Sequence, residues 1–145
     1  MSTAVAVLVA ITFTWLGMVS SISFIETPLK FRAPNVTLQI GLGIGRLVFR
    51  ALNTVEAVLA LVIVIAAAVG RPGTCTAIAF AVAVIALAIQ LVAVRPRLNR
   101  RSDRVLAGVI APRSKGHYAY VGLELIKVVA LLVAGISLLA AAAGS

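Results

Sequence analysis

Four stretches of this chain, Ala4–Phe24, Leu47–Val69, Thr76–Val94 and Tyr118–Ala142, are almost unbroken runs of Ala, Val, Leu and Ile. Each is close to the ~20 residues that an α-helix needs to cross the hydrocarbon core of a bilayer. A chain of 145 residues that is 62% hydrophobic and 12% charged, with a mean hydropathy of +1.15, has too little polar surface to enclose a water-soluble core. Transmembrane β-strands do not fit, because they alternate every second residue and span in ~10 residues. The expected fold is all-α: a polytopic membrane protein forming one four-transmembrane-helix bundle over residues 1–145. Its helices are placed at about 4–24, 40–69, 76–94 and 116–142, with a basic connection at 95–115.

The formal net charge of +9 does not point to nucleic acid. The basic residues fall between the apolar runs, where they report topology. Lys30 and Arg32 follow the first run, and Arg95, Arg97, Arg100, Arg101, Arg104, Arg113 and Lys115 follow the third, with Asp103 as their one acidic neighbour. The opposite side has only Arg71. The positive-inside rule then places connections 1–2 and 3–4 in the cytoplasm and both termini outside it, in the plasma (inner) membrane. Anionic headgroups are the expected partners of the basic connection.

Local signals punctuate the runs. Pro28 predicts a helix break near Thr27, and Asn35 or Thr37 can cap the second helix. Gly70-Arg71-Pro72-Gly73-Thr74 reads as a tight turn between antiparallel neighbours. Ser102-Asp103 can start a short amphipathic surface helix, with Val105, Leu106, Val109 and Ile110 on one face and Pro112 as its stop. Met1-Ser2-Thr3 lacks the basic start of a signal peptide, so the first run is expected to stay as a helix. The single cysteine, Cys75, excludes an internal disulfide or thiol pair and reads as a small packing residue near a helix end.

Within the apolar runs lie Glu56, Glu124 and Lys127. An ionisable group at bilayer depth costs about 2.5–3.5 kcal/mol on insertion scales, so it faces the protein interior, a partner or a polar path. On the second helix Arg46, Arg50, Asn53 and Glu56 step by four, three and three. On the fourth, His117, Tyr120, Glu124 and Lys127 step by three, four and three. Such steps keep side chains on one helical face. At a rise of about 1.5 Å per residue, Glu56 lies about 9 Å deeper than Arg50, and Lys127 about 4.5 Å deeper than Glu124. Complementary charge order predicts two layers, Arg50–Glu124 and, deeper, Glu56–Lys127. With Glu26 and Gln90 at the same end, the bundle is expected to hold a polar vestibule open to the cytoplasm. Trp15, mid-helix, needs an acceptor for its indole N–H.

Gly41-Leu42-Gly43-Ile44-Gly45 lacks the strand and acidic partner of a dinucleotide fingerprint. It reads instead as a small-xxx-small surface for close helix approach, as do the alanines of Ala77–Ala88. No cofactor and no metal site is expected.

Trp15-Leu16-Gly17, Pro28-Leu29-Lys30-Phe31, Gly45-Arg46-Leu47-Val48-Phe49, Arg95-Pro96-Arg97-Leu98 and His117 together resemble a broad group of small four-helix bacterial integral membrane proteins of unknown function. Glu56 and Lys127 lie outside that pattern. The resemblance implies the fold and supplies no reaction.

Three functional readings stay open. The first is a membrane accessory or scaffold protein, as a homo-oligomer or a subunit of a larger complex, in which the polar stripes fix helix register. The second is a carrier or binding protein for a small ligand, an ion or a proton, using Arg50, Asn53, Glu56, His117, Tyr120, Glu124 and Lys127. The third, a membrane enzyme on a lipid-like substrate with Tyr120, His117 and Glu124 as acid–base groups, lacks a nucleophile or metal set. The sequence leans away from an enzyme.

Overall fold

Helix starts are set where side-chain oxygens replace missing backbone partners. The Val5 N–H donates to Ser2 Oγ at 3.2 Å and opens α1, Thr3–Lys30. The Ile40 N–H donates to Thr37 Oγ1 at 3.2 Å and opens α2, Leu38–Gly70. Thr37 is therefore the cap, while Asn35 takes a left-handed turn at φ 66°. A tight turn through Arg71 leads into α3, Thr74–Leu106, and the chain closes with α4, Lys115–Ala143. This computed structural model describes residues 1–108 and 115–144, with side chains for all of these except 115–117. All four helices contain a stretch long and apolar enough to cross a membrane, so the chain is a multi-pass all-α membrane protein.

Two helices run further than the sequence predicts. α1 does not break at Thr27, and α3 does not end at Val94. Each passes its proline through one π-turn, Ile22–Glu26 in α1 and Gln90–Val94 in α3. The Thr27 N–H reaches back five residues to the Ile22 carbonyl, and the Arg95 N–H does the same to Gln90. The next residue in each case is proline, Pro28 or Pro96, which has no N–H and would clash with a carbonyl four residues earlier. Widening the turn by one residue moves that carbonyl aside. Thr27 Oγ1 donates a further hydrogen bond to the Ile22 carbonyl at 2.9 Å.

The predicted surface helix starting at Ser102-Asp103 is thus the end of α3. Its Ser102 and Val105 are buried, Asp103 pairs with Arg46, and Gln39 Nε2 donates to the Val105 carbonyl at 3.1 Å. Val109, Ile110 and Pro112 lie outside the described residues.

α4 packs against both α1 and α3, α1 also packs on α2, and α2 meets α3 mainly along the extension Arg95–Leu106. The apolar core, with Leu8, Ile63, Phe80, Ala83, Leu131 and Ala134, occupies the Arg71 end. Val58, Leu61, Ile65, Ile78, Ile85, Val129 and Ile136 point outward, as lipid-facing residues must. Cys75 is exposed rather than packed inside, 3.8 Å from Ser137 Oγ.

Two glycines mark close approaches. A Cβ at Gly135 would stand 2.7 Å from the Phe13 ring, so α1 and α4 pack directly there. A Cβ at Gly41 would overlap the Phe31 ring, so this glycine receives the connection after α1.

Candidate functional site: a sealed polar cluster on all four helices

The inner face of α2 is defined by Leu52, Asn53, Glu56, Ala60 and Ile63, all buried. One turn toward the basic end, the position on that face belongs to Phe49. Arg50, about 100° further round at 3.6 residues per turn, is exposed. The predicted Arg50–Glu124 pair therefore does not form. The Glu56–Lys127 pair does, with Lys127 Nζ 2.6 Å from Glu56 Oε1 and both side chains 0% exposed.

Lys127 also serves Glu124, 2.5 Å from its Oε1 and one turn away on the same helix. One ammonium thus lies between two carboxylates. The other donors to the two carboxylates are neutral and come from α1 and α3. Trp15 Nε1 of α1 donates to Glu56 Oε1 at 3.1 Å, which supplies the acceptor its indole requires. Ser23 Oγ of α1 donates to Glu124 Oε2. Gln90 Nε2 of α3 donates to Glu124 Oε1 at 2.8 Å and to the Tyr120 carbonyl at 3.2 Å. Tyr120 OH donates to Asn53 Oδ1 at 3.3 Å. Buried charges need such partners, and here each charged group has at least one.

Ser23 lies inside the first π-turn and Gln90 opens the second. Both irregular turns thus supply a hydrogen-bond donor to the same carboxylate. The second turn has another effect. Its five-residue hydrogen bond stacks Arg95 over Gln90, turning the guanidinium inward, 4.7 Å from the Tyr120 ring centre and 5.2 Å from that of Phe49. The two rings meet edge to face at 5.8 Å.

Of the predicted site residues, Asn53, Glu56, Tyr120, Glu124 and Lys127 come together. Arg50 stays apart, and the side chain of His117 lies outside the described residues. Arg46 pairs with Asp103 at the surface. Glu26 pairs with Lys30 at 3.6 Å, away from the cluster. The expected open vestibule is absent at this cluster: Glu56, Gln90 and Lys127 are fully buried and Glu124 is 1% exposed.

Sequence reasoning missed Ser23, Phe49 and Arg95. The signal available for Ser23 and Arg95 was a proline close to the end of an apolar run, which forces a local change of helical register.

Chemically, the cluster offers two carboxylates to one ammonium, with Glu56 Oε2 and Gln90 Oε1 buried and reached by no donor. Such a set can take up a proton on the free carboxylate oxygen. Among the described residues no three His, Cys, Asp or Glu side chains are grouped to hold a metal. The chain matches no protein-family model, no curated protein and no solved structure.

Proposed function

We propose that this chain is an accessory or scaffold protein of a bacterial plasma membrane, acting as a homo-oligomer or as a subunit of a larger membrane complex. The observation that carries the reading is the closure of the polar cluster. Its charges face one another, every helix contributes a donor or acceptor, and Glu56, Gln90, Glu124 and Lys127 are all buried. Between lipid-soluble helices there is no hydrophobic drive to associate, so side-chain packing and such polar links set which faces meet. Ala77, Ala81 and Ala88 leave a small-residue stripe exposed on α3, which suits close approach of a further transmembrane helix. In this reading the basic end faces the cytoplasm and anionic headgroups.

Native mass spectrometry of the protein in mild detergent tests assembly. A defined oligomer or a stoichiometric partner is expected, and a bare monomer under all conditions would defeat the reading. Orientation is tested with Gly73→Cys in a Cys75→Ser background. A membrane-impermeant maleimide should label it in intact cells, and labelling only after lysis would reverse the topology.

A second reading, a proton- or ion-binding protein, is favoured by one observation, the unpartnered Glu56 Oε2 beside an ammonium already shared by two carboxylates. Its test is proton flux in proteoliposomes. Flux that is lost in Glu56→Gln would promote it over the scaffold reading.

A further inference from the structure

The chain contains four acidic residues, and each already has a cation. Glu26 takes Lys30, Asp103 takes Arg46, and Glu56 and Glu124 share Lys127. No carboxylate side chain is left for Arg95. For an arginine in water this would mean nothing. Arg95 differs because its Nε and one terminal nitrogen are buried and have no hydrogen-bond partner. The aromatic faces of Tyr120 and Phe49 favour the cation but accept none of its in-plane N–H bonds. Buried guanidinium donors are found paired, and their natural partner is a two-oxygen anion matched to the fork.

We infer that Arg95 is the anchor of a binding site for one phosphate-type oxyanion, entering from the lipid side between α2 and α3, just on the membrane side of the extension Arg95–Leu106. Four features place the site. Arg95 ends the apolar run of α3, at the depth where headgroup phosphates lie. α2 meets α3 along the extension Arg95–Leu106 and only sparsely before it, so the entrance for a polar group lies on the membrane side of that extension. Arg50, exposed and in no ion pair among the described residues, stands on α2 next to Phe49, where it adds a second positive charge at the mouth. The π-turn holds the guanidinium inward, although an exposed position would leave every one of its donors hydrated. This goes beyond the general attraction of a basic surface for anionic lipid, which requires no particular arginine. The same chemistry is presented by a phospholipid headgroup and by free phosphate.

The test uses the full-length protein in mild detergent. Native mass spectrometry counts retained phosphatidylglycerol against phosphatidylcholine. In parallel, the 15Nε–1H resonance of Arg95 is followed while phosphatidylglycerol or inorganic phosphate is added. Wild type should retain one phosphatidylglycerol in preference to phosphatidylcholine, or should show a saturable shift of the Arg95 resonance with phosphate. The first result identifies the lipid as the source and the second the free anion. Arg95→Gln should lower retention or affinity at least about tenfold, as expected for a lost charge-assisted pair. Arg95→Lys keeps the charge and removes the fork, so it should also lose binding, and it serves if the glutamine variant misfolds. Arg97→Gln changes net charge equally at an exposed position and should bind like wild type. Equal losses in Arg95→Gln and Arg97→Gln would reduce the effect to surface charge and overturn the site. An Arg95 resonance unmoved by either anion would overturn it as well.

Discussion

Lys127→Met is the most informative single substitution. It removes the one ammonium that lies 2.6 Å from Glu56 and 2.5 Å from Glu124, and it leaves two carboxylates with 0% and 1% exposure facing each other. Two magnitudes compete. Neutral hydrogen bonds between transmembrane helices average about 0.6 kcal/mol, because the unfolded chain in lipid also finds partners. Stranding a buried charge costs about 3–5 kcal/mol. The second should win, since two charges lose the cation they share and the remaining donors among the described residues, Trp15 for Glu56 and Ser23 and Gln90 for Glu124, are neutral. The unfolding equilibrium should therefore shift by about two to three and a half decades. The assay is reversible unfolding in mixed micelles, with helicity followed by circular dichroism. Glu56→Gln in the Lys127→Met background should cost less than the sum of the two single changes, with a coupling of about 0.5–3 kcal/mol. A Lys127→Met protein within about 0.5 kcal/mol of wild type would refute the reasoning, as would strict additivity.

The same assay checks four further expectations. Arg50→Gln should change stability by no more than about 0.5 kcal/mol, because Arg50 is exposed and holds no acid. Gly135→Ala should cost about 1–3 kcal/mol by forcing the Phe13 ring out of place, whereas Gly122→Ala, with nothing within 4 Å, should gain up to about 1 kcal/mol from helix propensity. Trp15→Phe should cost about 1.5–3 kcal/mol for a lost bond to a charged acceptor. Gln90→Leu should cost less than that, since it loses such a bond and a second one to the Tyr120 carbonyl but also removes a buried carbonyl oxygen that has no partner. Equal losses for the last two would show that the Gln90 oxygen is satisfied after all.

The helices were legible in the sequence because length and uniform apolarity suffice to specify a span, whatever the side-chain detail. The Glu56–Lys127 pair was legible because helical periodicity and depth together limit which charges can meet. Arg50 was misplaced for a definite reason. Steps of three drift by about 60° per step against a 3.6-residue period, so a stripe that starts at Glu56 has left the inner face by the time it reaches Arg50. Phe49 holds that position on the inner face. Arg95 could not be found by counting at all. Its inward direction depends on one π-turn, which adds a residue to the helix without any change in composition. The same turn turned an expected surface helix into the end of α3.

The distribution of polar links says how the bundle is put together. The hairpin of α3 and α4 can satisfy Glu124 by itself, with Lys127 from its own turn and Gln90 from the neighbouring helix. The hairpin of α1 and α2 cannot do the same for Glu56. It supplies only the Trp15 indole, a neutral donor, and the matching cation lies on α4. Glu56 therefore carries an uncompensated demand for Lys127 until the two hairpins dock. Among the described residues the polar links between hairpins inside the membrane are Glu56–Lys127, Ser23–Glu124 and Asn53–Tyr120. All three end on α4, within about two turns of helix. Docking then satisfies them together or not at all, because a rotation of α4 that breaks one displaces the others. A helix surface rich in Ala, Val and Leu has many nearly equivalent ways to pack in lipid. Three polar links on one short segment select a single register among them, and two of the four acidic residues in the chain are enough to do so.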